Sequence, residues 1–247
     1  MKFFKYLGEI TIFFLRTLYA TVSPPFRISR IIEQIYISGT QSLPLVSIIS
    51  FFVGVILALQ SAYQLQRLSS EIYIAPLVSL SLCRELGPVL ASLIVAGRVG
   101  SSVAASFGSM KITEQIDALR SLGISPIKFL VAPRFVGLLI SLPLLIIWAD
   151  LVGILGGFLV CVTKLKINPY TYLKMSFDVL RFKDYFIGIF KGFIFGGCIS
   201  IISSFEGFRT EFGAEGVGKA VIKAVVKSFL LIIFLDCILT FIFFFVL

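Results

Sequence analysis

Two polar loops and a few charges inside apolar runs hold most of the residues in this chain that could do chemistry. The first loop, 109–134, reads SMKITEQIDALRSLGISPIKFLVAPR. Thr113 is of a type that caps helix N-termini, and acidic Glu114 and Asp117 suit the positive end of a helix starting at Glu114. Gly123 offers a C-terminal stop and Pro126 forbids continuation, so a helix of roughly nine residues is predicted, too short to span a bilayer. Its apolar face holds Ile112, Ile116, Leu119 and Leu122, and its polar face holds Glu114, Gln115, Asp117 and Arg120. Such a helix either docks into a partner at the membrane surface or lies there as a solvated connector, and spacing leaves both open.

The second loop, EGFRTEFGAEGVGKA (206–220), contains Glu206, Gly207, Gly213, Glu215, Gly216 and Gly218. Gly213 to Lys219 matches the start of a phosphate-cradling loop, GxxxxGK. Alanine at 220 removes the Ser or Thr that would reach Mg²⁺, and no strand is expected before it. These glycines therefore predict a tight turn, not a nucleotide site. Within apolar runs lie Arg98, Asp150, Lys191 and Asp236, with Glu85 just before the run holding Arg98. A charge at mid-bilayer costs about 2.5–3.5 kcal/mol on insertion scales. Asp150 and Asp236 are therefore expected to meet Arg98 or Lys191, either as a register-fixing ion pair or as part of a polar path. Histidine is absent, and no metal site, nucleophile elbow or paired-acid site is found.

The elements that position these residues follow from hydropathy. Mean hydropathy is +1.03, and only 14% of the 247 residues are charged, against about 25% in soluble domains. Spanning helices need about 20 apolar residues, and 43–63, 86–108, 135–163, 186–205 and 220–247 qualify. The fold class is thus all-α: a polytopic membrane bundle of five transmembrane helices. The net charge of +9 reflects basic residues between apolar blocks, not nucleic-acid binding. More of them fall on the side holding Lys111, Arg120, Lys128 and Arg134, which places that side and the N-terminus in the cytoplasm. Lys164, Lys166, Lys174, Arg181 and Lys183 oppose this bias. Cys83, Cys161, Cys198 and Cys237 read as small apolar residues, not disulfides.

The first forty residues form a segment of their own. Phe3, Leu7, Ile10, Phe14 and Leu18 recur at helical spacing before Pro24 and Pro25, as in a helix lying in the membrane interface. Glu9 and Arg16 interrupt the stretch and no small-residue cleavage site follows, so it is not expected to be a cleaved leader. Two spans carry small residues at every fourth position: Ser92, Ala96, Gly100, Ala104 and Gly108 in the second, and Gly188, Gly192, Gly196, Ser200 and Ser204 in the fourth. Such stripes let helix backbones approach closely, within one chain, at a dimer seam or along a cavity.

The runs 81–134, 142–157 and 206–221 closely resemble the MlaE-type permease family, the membrane subunits of ABC transporters that work with MCE-domain lipid-binding proteins. The resemblance covers about residues 40–247 and is most specific around Glu114–Arg120. It implies an interfacial segment at 1–40 and a permease domain at 41–247. It further implies a homodimer moving phospholipids or related lipids between membranes, and a cytoplasmic coupling helix at 109–126 seated in a separate ABC ATPase. ATP and Mg²⁺ would then belong to the partner, with no cofactor in this chain. Phe212 stands where the family usually has glycine, which makes that turn less permissive. The family has plastid-encoded members, and the abundance of Phe, Ile and Lys fits an AT-rich plastid genome. A plastid inner envelope is therefore expected, with a bacterial inner membrane as the alternative. A non-transporting anchor for an ATPase or lipid-binding protein is the competing reading. It gives no reason to keep Arg98, Asp150 and Asp236 within lipid. An ion-driven carrier would need inverted repeats, and none is detected.

Overall fold

The computed structural model describes residues 2–24, 28–66, 71–211 and 213–246, and among them every regular element is helical. The order is α1 (Lys2–Val22), α2 (Ile28–Ser38), α3 (Leu43–Gln66), α4 (Ile74–Ser81), α5 (Gly87–Val95), α6 (Ser101–Ile112), α7 (Gln115–Ser121), α8 (Ala132–Thr163), α9 (Pro169–Asp178), α10 (Phe182–Phe208) and α11 (Ala214–Val246). Among the described residues, five segments are long and apolar enough to cross a membrane: Ile28–Leu65, Ile74–Ile112, Ile127–Thr163, Phe182–Phe208 and Ala214–Phe245. The protein is an all-helical multi-pass membrane protein.

Each segment outruns its apolar block, because the helical backbone continues past the residues that match the hydrocarbon. The first begins at Ile28, since α2 passes through a short turn at Thr40–Ser42 into α3. The second gains α4. Five-residue π turns interrupt the second segment at Leu82–Leu86 and Ala96–Gly100 and open the third at Ile127–Val131. Each inserts a residue and rotates the face that follows, and such bulges are frequent at functional positions. The first holds Arg84 and Glu85, the second Arg98. Helix α9 was missed, although Asn168 accepts from the Tyr170 N–H and Pro169 occupies the first turn, a recognisable N-terminal signature.

Helix α1 is not among the segments long and apolar enough to span. Leu7, Phe14 and Leu18 of its apolar stripe stay exposed, whereas Phe13 and Thr17 are buried. The side chains of Lys2 and Phe3, the break at Pro25 and the substitution at Phe212 lie outside the described residues.

The chain divides into two compact units. Unit 1 comprises Met1–Gln41, Val95–Leu142 and Phe193–Leu235, and unit 2 comprises Ser42–Ile94, Pro143–Gly192 and Asp236–Leu247. Within unit 1, small residues bring α10 against α6 and the turn before it. A Cβ added at Gly100 would sit 2.8 Å from Ser203 Oγ, and one at Gly207 would sit 3.0 Å from the Ala104 carbonyl. Gly196 lies against the Leu138 backbone, and Gly108 meets Thr210 and Val217. Within unit 2, Gly192 faces Pro143 and Ile146, and Gly54 meets the Gly153 backbone. Ala96 and Ala104 are buried. These stripes pack helices of one chain together, where lipid supplies no hydrophobic drive. Tyr172 of α9 is buried in unit 2 and donates to the Ile154 carbonyl at 3.3 Å.

Candidate functional site

In unit 1, α6 and α7 meet at a sharp joint. The Thr113 hydroxyl donates to the Ser109 carbonyl at 2.9 Å, so it finishes α6 and does not cap α7, contrary to the sequence expectation. Glu114 is not the first helical residue. It sits at φ 58°, a left-handed conformation that costs a non-glycine residue about 1–2 kcal/mol. Helix α7 therefore starts at Gln115 and has 7 residues. Its far end matches expectation: at Gly123 (φ 72°) the amide bonds the Arg120 carbonyl, and the Ile124 amide bonds that of Leu119, a Schellman stop.

Asp117 accepts from Lys111 at 2.8 Å and from Arg120 at 2.9 Å, tying α7 back to α6. The Lys111 hydrogen bond, with the charges of Lys111 and Arg120, holds the Asp117 carboxyl below its ordinary value. Ile116 is fully buried and Leu119 half-buried, while Leu122 is 73% exposed. The short helix is thus braced from behind and presents a free apolar tip.

Glu206 and Gly207 prove to be helical residues at the end of α10, not turn residues, because Gly207 fits against Ala104 and the Glu206 carboxylate is anchored. Glu206 Oε1 accepts from Tyr6 and from Lys227, both at 2.7 Å. Burial and this hydrogen bond to a carboxylate push the Tyr6 phenol well above its ordinary pKa, so it stays a donor. Arg209 pairs with Glu9 at 2.9 Å. Gly213, at φ 92°, makes the actual turn. Glu215, Gly216 and Gly218 open α11, where Lys219 pairs with Glu215 at 2.7 Å. The stretch resembling a phosphate loop is mostly helix. Sequence reasoning missed Tyr6, Glu9 and Lys227 as partners. Their separations of up to 200 positions leave no local signal.

Arg98 donates to the Ile37 carbonyl at 3.2 Å and to Gln41 Oε1 at 3.0 Å. A carbonyl and an amide oxygen receive it there. Of the pairings open to the two aspartates, the structure makes that of Asp236 with Lys191.

Unit 2 holds the most deeply buried cation. Lys191, with no exposed surface, donates to Glu85 Oε2 at 2.6 Å, to Thr240 Oγ1 at 2.9 Å and to the Arg84 carbonyl at 3.0 Å. Its Nζ also lies 2.7 Å from Asp236 Oδ1, off hydrogen-bond alignment. That carbonyl is open for a local reason. Pro88, four residues on, has no N–H to offer it. The Thr240 hydroxyl in turn donates to Glu85 Oε1 at 3.0 Å. Arg84 Nε bonds Asp184 Oδ1 at 2.7 Å. Arg84, Glu85 and Thr240 border a cavity of about 250 Å³. Asp150 is 6% exposed, its Oδ1 has no hydrogen-bond partner, and it makes no ion pair among the described residues. It leans over Gly87, where any side chain would strike it. Sequence reasoning missed Thr240 and Asp184.

Cys83 and Cys161 are buried and Cys237 is exposed, all as free thiols with Cys198. No group of three or more potential metal ligands occurs among the described residues.

A short helix braced to α6 and buried charges in apolar helices are the site's main features, and the family comparison gives them a context. The model described as Permease MlaE matches residues 31–242. The chain belongs to the MlaE permease family. This permease is 44% identical over 244 residues to a probable ABC transporter permease protein of Rickettsia prowazekii, covering 99% of this chain and 94% of the relative. It is 35% identical over 217 residues to the intermembrane phospholipid transport system permease protein MlaE of Haemophilus influenzae, covering 85% and 81%. It is also 35% identical over 213 residues to the protein TRIGALACTOSYLDIACYLGLYCEROL 1, chloroplastic, of Arabidopsis thaliana, covering 86% of this chain and 61% of the relative.

Proposed function

We propose that this permease is the membrane subunit of an ABC transporter that moves phospholipids between membranes, driven by ATP hydrolysis on a separate ATPase seated against α7. The observation that carries this reading is the construction of α7. An exposed Leu122 tip stands on a helix clamped through Asp117 to Lys111 of α6, so a push on the tip is delivered to a membrane span. ATP and Mg²⁺ act on the partner, and nothing in this chain is asked to hold them. Glu85 and Asp236, tied together by the buried Lys191, supply polar positions for a lipid path, with Arg98 and Asp150 as further ones. The family resemblance adds two copies of the chain and an MCE-domain partner. The relative named chloroplastic supports a plastid inner envelope, and the bacterial relatives make a bacterial inner membrane the competing location.

The test is co-purification in mild detergent, followed by lipid-stimulated ATPase measurement. Leu122→Asp is expected to insert and fold normally yet lose the ATPase subunit or at least about tenfold of its stimulation, since a desolvated apolar anchor is worth about 1.5–3 kcal/mol. Unchanged stimulation in that variant defeats the coupling role.

A further inference from the structure

Unit 1 contains a second feature that transport does not require. Between α1, the segment following α7 and the end of α10 lies a cavity of about 1020 Å³, at the large end for small-ligand sites. Arg16, Arg120, Lys128 and Arg209 all line it, and no Asp or Glu does among the described residues. Its walls include Phe205 and Phe208. Two of the cations already have acidic partners outside the cavity, Arg120 with Asp117 and Arg209 with Glu9. Lys128 donates to the Pro24 carbonyl, which leaves its charge unneutralised, and Arg16 makes no ion pair among the described residues.

The clustering is not a general property of α1. A cavity of about 560 Å³, also bordered by α1 and lined by Phe14, Leu18 and Phe193, contains no charged residue. The cations are thus gathered at one cavity, which also borders the start of the third span and the end of the fourth. An apolar wall joined to a cationic rim at the level where spans end matches a lipid whose phosphate carries net negative charge. Basic pockets between membrane helices recognise such headgroups. A soluble anion would gain nothing from the aromatic wall.

We propose that this cavity is a binding site for the headgroup of an anionic phospholipid of the surrounding leaflet. Lys128 and Arg16 supply the charge not otherwise neutralised, and Arg120 brings the occupant against α7. The bound lipid then braces α7. Binding itself does not depend on the transport reading, so its test needs no ATPase.

The full chain is placed in nanodiscs of phosphatidylcholine containing a small fraction of phosphatidylglycerol, and retained lipid is counted by native mass spectrometry after release. The expectation is selective retention of phosphatidylglycerol, falling about 25-fold in Arg16→Gln/Lys128→Gln, with two cations each worth about fivefold. A control removing the same charge elsewhere, Lys164→Gln/Lys174→Gln, is expected to retain it fully. The single variant Arg16→Gln, a change at an exposed side chain of α1, is expected to lose about fivefold and keeps the test valid if the double variant fails to fold. Equal retention in all four proteins overturns the proposal. So does competition by soluble glycerol phosphate at matching concentration, which would identify a free-phosphate site.

Discussion

The two units solve the problem of a buried charge in opposite ways. In unit 2 the cation is the hidden member: Lys191 is 0% exposed while Glu85 and Asp236 are 39% and 18% exposed. In unit 1 the anion is hidden: Glu206 is 6% exposed and Lys227 is 37% exposed. Lys191 has two carboxylates, a hydroxyl and a carbonyl around it. Glu206 has one ammonium and one phenol. The buried lysine is overcompensated and its partners are redundant, whereas the buried glutamate rests on a single counter-charge. Removing one partner of a buried pair costs far more than the pair contributes, because it strands the other charge.

The sharpest way to break this comparison is to remove both carboxylates of unit 2. Glu85→Gln/Asp236→Asn strands Lys191 and is expected to cost about 3–5 kcal/mol, read as a loss of folded protein by thermal unfolding in detergent. Glu85→Gln alone is expected to cost no more than about 1 kcal/mol, a typical net hydrogen-bond contribution. A single variant as damaging as the double one removes the redundancy argument. In unit 1 one substitution should suffice: Lys227→Met leaves Glu206 with only Tyr6, at a cost of about 2–3 kcal/mol by the same assay. A shallower effect than that of Glu85→Gln reverses the ranking of the two clusters.

Gly207→Ala sharpens the unit 1 side. The new methyl would lie 2.7 Å from Phe107 Cβ and 3.0 Å from the Ala104 carbonyl, so overpacking of about 1–3 kcal/mol is expected. Gly218→Ala, with nothing within 4 Å, is expected to stabilise α11 by up to about 1 kcal/mol. The smallest effect belongs to the exposed brace at Asp117. Its carboxyl is held below the ordinary value, so the brace is complete above that value and is lost only as pH falls through the lowered one. Amide exchange across α7 should therefore be insensitive to carboxylate titration between neutral pH and the ordinary carboxylate range, and Asp117→Asn should speed it modestly at neutral pH.

Much of the frame was legible because it is written locally. Apolar runs long enough for a bilayer, Gly123 as a stop and Gly213 as a turn each follow from residues within a few positions of the feature. The errors were also local, and they fell where two readings competed. Thr113 could close one helix or open the next, and its hydroxyl bonds backwards. Gly207 reads as a turn residue, but contact with Ala104 keeps it helical. The segment at α9 drew notice only for its basic residues, although Asn168 and Pro169 marked a helix start.

The sequence by itself determined that this chain spans a membrane five times and carries a short two-faced helix between its second and third spans. Hydrocarbon thickness and helix caps act over tens of residues at most. Only the tertiary structure decided which charges meet. Lys191 chooses Glu85 and Asp236, Glu206 chooses Tyr6 and Lys227, and Arg98 chooses oxygens of α2 and the turn after it. A buried charge is stabilised by whatever stands within about 3 Å, and across a bundle that neighbour is set by helix rotation and π turns, which have no period in the chain, and by small-residue contacts, whose period does not name the helix they meet.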